Sequence, residues 1–236
     1  MAQLVSSKNL LYSSQPLAVG VISDESALEH FVSLDPAARL ALCDVAELRL
    51  DLLKLPPEDL RTRLAGNTLP LLLTARHPDE GGEGPEDPAA RAAMIEPLLD
   101  LAALVDLELR SAMQMQSTLK KARDLSVPVI GSFHDFHATP SDDVLLGAVN
   151  FGQQAGLGAV KIATYLNSQE DLIRLMKLAG GSHRLRLSVM GMGPLGRVSR
   201  LVLAKTGSLL NYGFIGASNA PGQWPVARLK ELLTEL

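Results

Sequence analysis

The chain has 236 residues, 47% of them apolar but only 4% aromatic, so a sizeable core must be built from Leu, Val, Ile and Ala, in two small domains or in one α/β barrel of ~250 residues. A net charge of −4 without a basic run speaks against nucleic-acid binding, and no apolar run approaches membrane-spanning length. Cys43 is the single cysteine, which excludes an internal disulfide and a Cys-based zinc site; the N-terminal residues show no sustained apolar leader, so a soluble, cytoplasmic protein is expected.

Short apolar strands then alternate with longer amphipathic segments. Leu17–Ile22 reads as a first strand, with Ser23 or Asp24 capping the helix that follows. Residues 44–50 form a second strand, after which Pro56-Pro57 opens a helix where proline is tolerated. Residues 70–75 are a third strand, followed by a loop over 76–88 rich in Gly, Pro, Asp and Glu and a helix near 89–99. The fourth and fifth strands fall at 103–109 and 127–132, and Thr139-Pro140-Ser141 starts the next helix. The sixth covers 157–164, the seventh 184–190 and the eighth 207–212, before a last helix over 224–236. Eight such repeats, with no interdomain linker, predict one (β/α)₈ barrel domain spanning residues 1–236. An open doubly wound sheet would suit fewer strands and a Gly-rich first turn, whereas the turn here is Ile22-Ser23-Asp24-Glu25.

In such a barrel the chemistry gathers where strands run into their following loops. The second strand ends with Glu47 and Arg49 on one face, the third runs into Arg76 with Glu80 beyond it, and the fourth carries Asp106 and Glu108 on one face. The fifth delivers His134 and Asp135 and the sixth Lys161, while Arg200 follows the seventh and Asn219 and Gln223 follow the eighth. Lys161 stands inside an apolar strand, where burial favours a neutral, nucleophilic amine able to form a Schiff base. A lysine that snorkels to solvent from a sheet edge accounts for the same strand. Likewise, Glu47 with Arg49, or Asp106 with Glu108, reads equally as a self-satisfying ion network, and His134 as a core histidine. The convergence of cations, a histidine and carboxylates on one rim favours a site for a small anionic, hydroxylated ligand, since Arg forks grip carboxylates at two points.

Three other patterns carry less. Gly191-Met192-Gly193-Pro194-Leu195-Gly196 fits G-x-G-x-x-G, but proline occupies its turn and no acidic residue follows from 191 to 230, so tight loop packing explains it better than a dinucleotide. His134 and His137 lack further metal-ligand spacing, so no metal is expected. The acidic stretch 79–87 reads as a solvated or mobile lid.

Six segments, in order, resemble the type I 3-dehydroquinate dehydratases: Glu47-Leu48-Arg49-Leu50-Asp51; Arg76 with Glu80-Gly81-Gly82; Ser132-Phe133-His134-Asp135-Phe136 with Thr139-Pro140; Val160-Lys161-Ile162-Ala163; Met190 and Met192 ahead of Gly196 and Ser199-Arg200; and Ala220-Pro221-Gly222-Gln223. The resemblance runs from about Leu17 to the C-terminus. It implies a (β/α)₈ barrel, a homodimer, that converts 3-dehydroquinate to 3-dehydroshikimate in the shikimate route to aromatic compounds, without metal or organic cofactor. It further implies that Lys161 forms the imine, that His134 shuttles protons and that Glu80 orients His134. Arg200 would hold the substrate carboxylate; Glu47, Arg49, Arg76, Asn219 and Gln223 would hold its hydroxyls and ketone region; Met190, Met192 and Tyr212 would line an apolar wall. Asn219 stands where the family usually has serine, and a first-strand serine of the family falls on Gly20. The rival readings are another Schiff-base barrel such as a class I aldolase, and a silent barrel that binds a small acid.

Overall fold

The structure, a computed structural model, describes residues 7–218 and 222–235. Eight strands follow in order: β1 Leu17–Ile22, β2 Val45–Arg49, β3 Leu71–Thr74, β4 Leu104–Glu108, β5 Val129–Asp135, β6 Ala159–Tyr165, β7 Arg186–Met192 and β8 Leu210–Phe214. All ladders are parallel, in the order β7-β6-β5-β4-β3-β2-β1-β8, with helices between the strands. The last seam is stitched differently. The Leu209 amide donates to the Leu187 carbonyl at 2.8 Å, while Ser188 Oγ accepts from the Leu210 amide at 3.0 Å and Ser208 Oγ from the Val189 amide at 2.9 Å. Two serine side chains therefore bring β7 and β8 together in place of a regular ladder, and the sheet becomes the predicted (β/α)₈ barrel.

Two apolar layers follow from the two-residue period of a strand. Leu17, Val19, Val45, Leu72, Leu104, Ile130 and Ala159 fill the barrel, and Leu10 and Leu11 from the 3₁₀ turn Ser7–Tyr12 join this cluster. Leu11 lies beside Gly158, ahead of β6, so the turn plugs the N-terminal mouth. The alternate residues Ala18, Ala46, Leu48, Leu71, Leu73, Val105 and Leu107 pack under the helices. With the lower barrel closed by aliphatic side chains, the polar residues are left to the C-terminal mouth. No helix among the described residues is long and apolar enough to cross a membrane.

Boundaries shift where local chemistry overrides strand pattern. Asp24 is the helix cap, accepting from the Ala27 amide at 2.8 Å. The expected helix near 89–99 is an α-helix only over Pro88–Ile95; Pro97, which has no amide hydrogen to donate, sits in the 3₁₀ turn Glu96–Leu101 that continues it. The fifth strand runs on through His134 and Asp135 rather than stopping at 132, because β6 pairs with it out to Asp135↔Thr164. The seventh and eighth begin later than 184 and 207: Arg186 is still exposed, and Gly207, at φ +131°, ends the preceding helix.

Candidate active site

Alternation along the upper strands brings one side chain in two into the C-terminal mouth. Glu47, Arg49, Arg76, Glu80, His134, Lys161, Met190, Met192, Arg200, Tyr212 and Gln223, all expected at the site, line one cavity there. Asn219 lies outside the described residues. Val21, Gly81, Phe136 and Ala163 complete the lining without having been singled out as site residues.

Lys161 is 5% exposed, so it does not snorkel from a sheet edge. Its Nζ is 3.4 Å from Asp106 Oδ2, 4.0 Å from Glu47 Oε1 and 4.0 Å from the centre of the Tyr212 ring. Burial, opposed by Glu47 and Asp106, lowers its pKa. The Tyr212 hydroxyl is buried without a hydrogen-bond partner among the described residues, and its ring faces the Lys161 amine, so this residue is more than an apolar wall.

His134 emerges two residues beyond Ser132, the register partner of Lys161 on β6. Its Nδ1 is 2.8 Å from Glu80 Oε2. Burial, reinforced by Arg76 and Lys161, pushes the imidazole well below its ordinary pKa, and burial pushes the Glu80 carboxyl up to about 8. Glu80 reaches this position because Gly81 takes φ +78°, where a Cβ would lie 2.4 Å from Phe136 Cζ, and because Gly82 presses on the Arg76 carbonyl, 2.1 Å from where its Cβ would be.

The other acidic side chains of the loop that carries Glu80, Asp79, Glu83, Glu86 and Asp87, are solvated, as expected, but the loop is anchored from beneath. The Gly84 amide donates to the Arg76 carbonyl at 3.0 Å, and the Glu83 amide to Asp51 Oδ2 at 3.1 Å. Arg91, fully buried, donates from Nη1 to the Pro85 and Glu86 carbonyls at 2.6 and 2.8 Å.

Around the cavity the carboxylates and arginines pair differently from their order in sequence. Arg49 forks onto Asp51, at 3.0 and 2.7 Å, and not onto its face-mate Glu47, which accepts from Thr74 Oγ1 at 2.7 Å. Arg76 meets Asp106 at 2.8 Å and Glu108 at 3.2 Å and also donates to Ser132 Oγ. Burial opposes the charge of Arg76, but Asp106 and Glu108 more than offset it and raise the pKa. Asp106 and Glu108 were read from sequence as sharing one face of the fourth strand, in a site or in an ion network; Ser132 and Thr74 were not singled out, and what could have marked them is the lumen-facing parity that they share with Glu47, His134 and Lys161.

Arg200, 2% exposed, is held by backbone carbonyls: Nε donates to Tyr212 at 3.2 Å, and Nη1 to Gly191, Gly196 and Gly222 at 3.0, 2.9 and 2.6 Å. No carboxylate among the described residues pairs with it, and burial brings its pKa down to about 10. The glycines of the 191–196 segment thus serve packing and anchor this guanidinium: a Cβ on Gly191 would lie 2.2 Å from Leu166 Cδ1. Gly20 requires a correction. Its Cβ direction meets Ile215 and Cys43 in the layer under the helices, and the lumen-facing residue at this level of β1 is Val21, one place later.

A sequence model described as "Type I 3-dehydroquinase" matches residues 26–236. The chain is 30% identical over 227 residues to a 3-dehydroquinate dehydratase of Methanococcoides burtonii, covering 93% of this chain and 94% of the relative. It is 32% identical over 204 residues to a catabolic 3-dehydroquinate dehydratase of Acinetobacter baylyi, covering 80% and 75%. The solved 3-dehydroquinate dehydratase of Geobacillus kaustophilus superposes with a TM-score of 0.83 at 25% identity, over 95% of this chain and 92% of that one.

Proposed function

The chain belongs to the type I 3-dehydroquinase family of hydro-lyases, and from that premise we propose that it dehydrates 3-dehydroquinate to 3-dehydroshikimate through an imine on Lys161. The observation that carries this reading is the convergence of the buried Lys161 amine and the Glu80-paired His134 imidazole on one cavity.

The Lys161 ammonium gives one proton to His134, and the free amine adds to the ring ketone. The ketone oxygen leaves as water, taking a second proton from nitrogen and the one that His134 holds, and leaves a protonated imine. That imine draws electrons from the neighbouring C–H bond, so His134 removes the proton and an enamine forms. The enamine electrons then expel the hydroxyl one carbon further on, which departs as water with the proton that His134 had taken. Hydrolysis of the restored iminium frees the product and the lysine, so the balance is one water lost per substrate. Arg200, already stripped of solvent and held by carbonyls with no counter-charge among the described residues, suits the substrate carboxylate. Glu47, Arg49, Arg76 and Gln223 hold the hydroxyls and ketone region, and Met190 and Met192 cover the ring's apolar face. No metal or organic cofactor is required by these steps. A homodimer is part of the same proposal, supported by Val144, Leu146, Ile173 and Val198, apolar side chains 41–53% exposed on three successive helices.

Borohydride added to enzyme and 3-dehydroquinate is expected to fix one reduced adduct, found on the peptide containing Lys161 by mass spectrometry and missing in Lys161→Ala. An adduct on another lysine, or turnover by Lys161→Ala at the wild-type rate, overturns the assignment.

A further inference from the structure

We propose that Asp106 is a further catalytic residue, a fixed counter-anion that stays with the Lys161 nitrogen from ammonium to protonated imine. The inference rests on the imine reading given above. Asp106 Oδ2 lies 3.4 Å from Nζ, behind the cavity lining and too close for another atom to stand between them, and the carboxylate is 1% exposed. It cannot turn away: Oδ2 also accepts from Arg76 Nη2 at 2.8 Å, and Oδ1 accepts from Ser132 Oγ at 2.6 Å. Burial by itself would raise its pKa, but Arg76 and Lys161 hold it well below the usual carboxylate range, so it is an anion at every working pH.

The chemistry needs such a group. Lysine ammonium plus ketone gives iminium plus water, so nitrogen carries one positive charge before and after condensation and loses it only for the attack. An anion bound at full strength would keep the ammonium protonated; one removed altogether would let the imine lose its proton and with it the electron sink. Asp106 lies between these limits because Arg76 and Ser132 share its charge, and its approach to Nζ is half an ångström longer than a good charge-assisted hydrogen bond. The other groups facing Nζ complete the balance: Glu47 and Arg49 from β2, Arg76 beyond β3, His134 from β5 and Tyr212 from β8. Of the two carboxylates, Glu47 is further away at 4.0 Å and lines the cavity, so substrate can engage it; Asp106 is not part of that lining.

The test begins without substrate. Trace acetic anhydride acetylates neutral amines, and mass spectrometry of the Lys161 peptide across pH reads the pKa of that lysine directly. Asp106→Asn is expected to lower it by roughly 1–3 units, as loss of an opposite charge within a few ångströms does. Ser132→Ala, which keeps the carboxylate but removes a donor that shares its charge, is expected to raise it. Opposite shifts from neighbouring buried sites are not what loosened packing produces. With substrate, folded Asp106→Asn should lose kcat by roughly tenfold per unit of stabilisation withdrawn, with KM little changed, and its imine should be reduced more slowly by borohydride. An unshifted Lys161 pKa in folded Asp106→Asn overturns the proposal; if that variant does not fold, an unshifted or lowered pKa in Ser132→Ala does so. Absence of any borohydride adduct in the wild type would instead overturn the imine reading, and the acetylation shifts would still report the ion pair.

Discussion

At the scale of single residues, the Glu80–His134 contact sets a pH dependence whose sign can be worked out. When Glu80 is protonated, its O–H donates to Nδ1 and the ring proton sits on Nε2. When it is ionised, Nδ1–H donates to Oε2 and Nε2 has a lone pair free for proton removal. With the carboxyl pushed up to about 8, kcat/KM of the wild type is expected to fall as pH drops through that value. Glu80→Gln, which has no proton to gain there, should lose this limb and run at a lower, flatter rate; a limb near 8 that survives the substitution assigns it to another group. Stability moves the other way. A carboxyl whose folded pKa lies above its ordinary 4.5 stabilises the fold fully below 4.5, and that contribution disappears as pH rises through about 8, at about 1.4 kcal/mol per unit. Glu80→Gln should therefore lose less stability than the wild type between pH 5 and pH 9 in urea titrations.

Among the elements, the segment from Arg76 to the helix Pro88–Ile95 decides whether Glu80 arrives in register. Its length and composition are those of a mobile loop, yet Arg91 holds it from behind, with Nη2 donating to Ser111 Oγ at 2.6 Å and Nε 3.7 Å from Glu108 Oε2. Arg91→Met keeps the bulk of the side chain but leaves the Pro85 and Glu86 carbonyls and the Glu108 carboxylate short of a donor. Removing one partner from such a buried set costs roughly 3–5 kcal/mol. A fall in the urea midpoint is expected, together with a loss of kcat/KM in the fraction that remains folded, because Glu80 is no longer held against His134. A variant as stable and as active as the wild type would show that Gly81, Gly82 and the Gly84 amide are tether enough.

For the whole molecule, closing the barrel leaves the outer faces of the surrounding helices to solvent or to another chain. Val144, Leu146, Ile173 and Val198 stand on the successive helices Asp142–Gln154, Gln169–Ala179 and Gly196–Thr206, and removing such side chains from water contributes roughly 25 cal/mol per Å². Sedimentation equilibrium is expected to give twice the 25.2 kDa chain mass. Ile173→Glu, which places a carboxylate on each copy, should shift the species towards the single chain without touching the cavity. A dimer indifferent to that change would put its interface elsewhere.

The fold class was legible because it depends on periodicities the chain carries locally: β1 was read at its observed limits from Leu17 to Ile22, and Asp24 caps the first helix through a contact only three residues along the chain, to Ala27. Membership of the site was legible for the same reason. Once strands and their ends are placed, parity alone sends Glu47, His134 and Lys161 into one mouth. Pairing was not legible, because an ion pair is settled by distance across strands and not by order along them. Arg49 prefers Asp51 to Glu47, Asp106 reaches both Arg76 and Lys161, and Arg200 is held by carbonyls, with no carboxylate among the described residues. Nor could a one-residue displacement in β1 be seen in sequence, although it exchanges Gly20 for Val21 at the cavity wall, since a strand turns successive side chains to opposite faces. The sequence by itself determined the barrel and which charged strand-end residues share its mouth. Which charge neutralises which, and how deeply each is buried, were decided only by the tertiary structure, because Coulomb energies and desolvation depend on separations of a few ångströms that no linear spacing records.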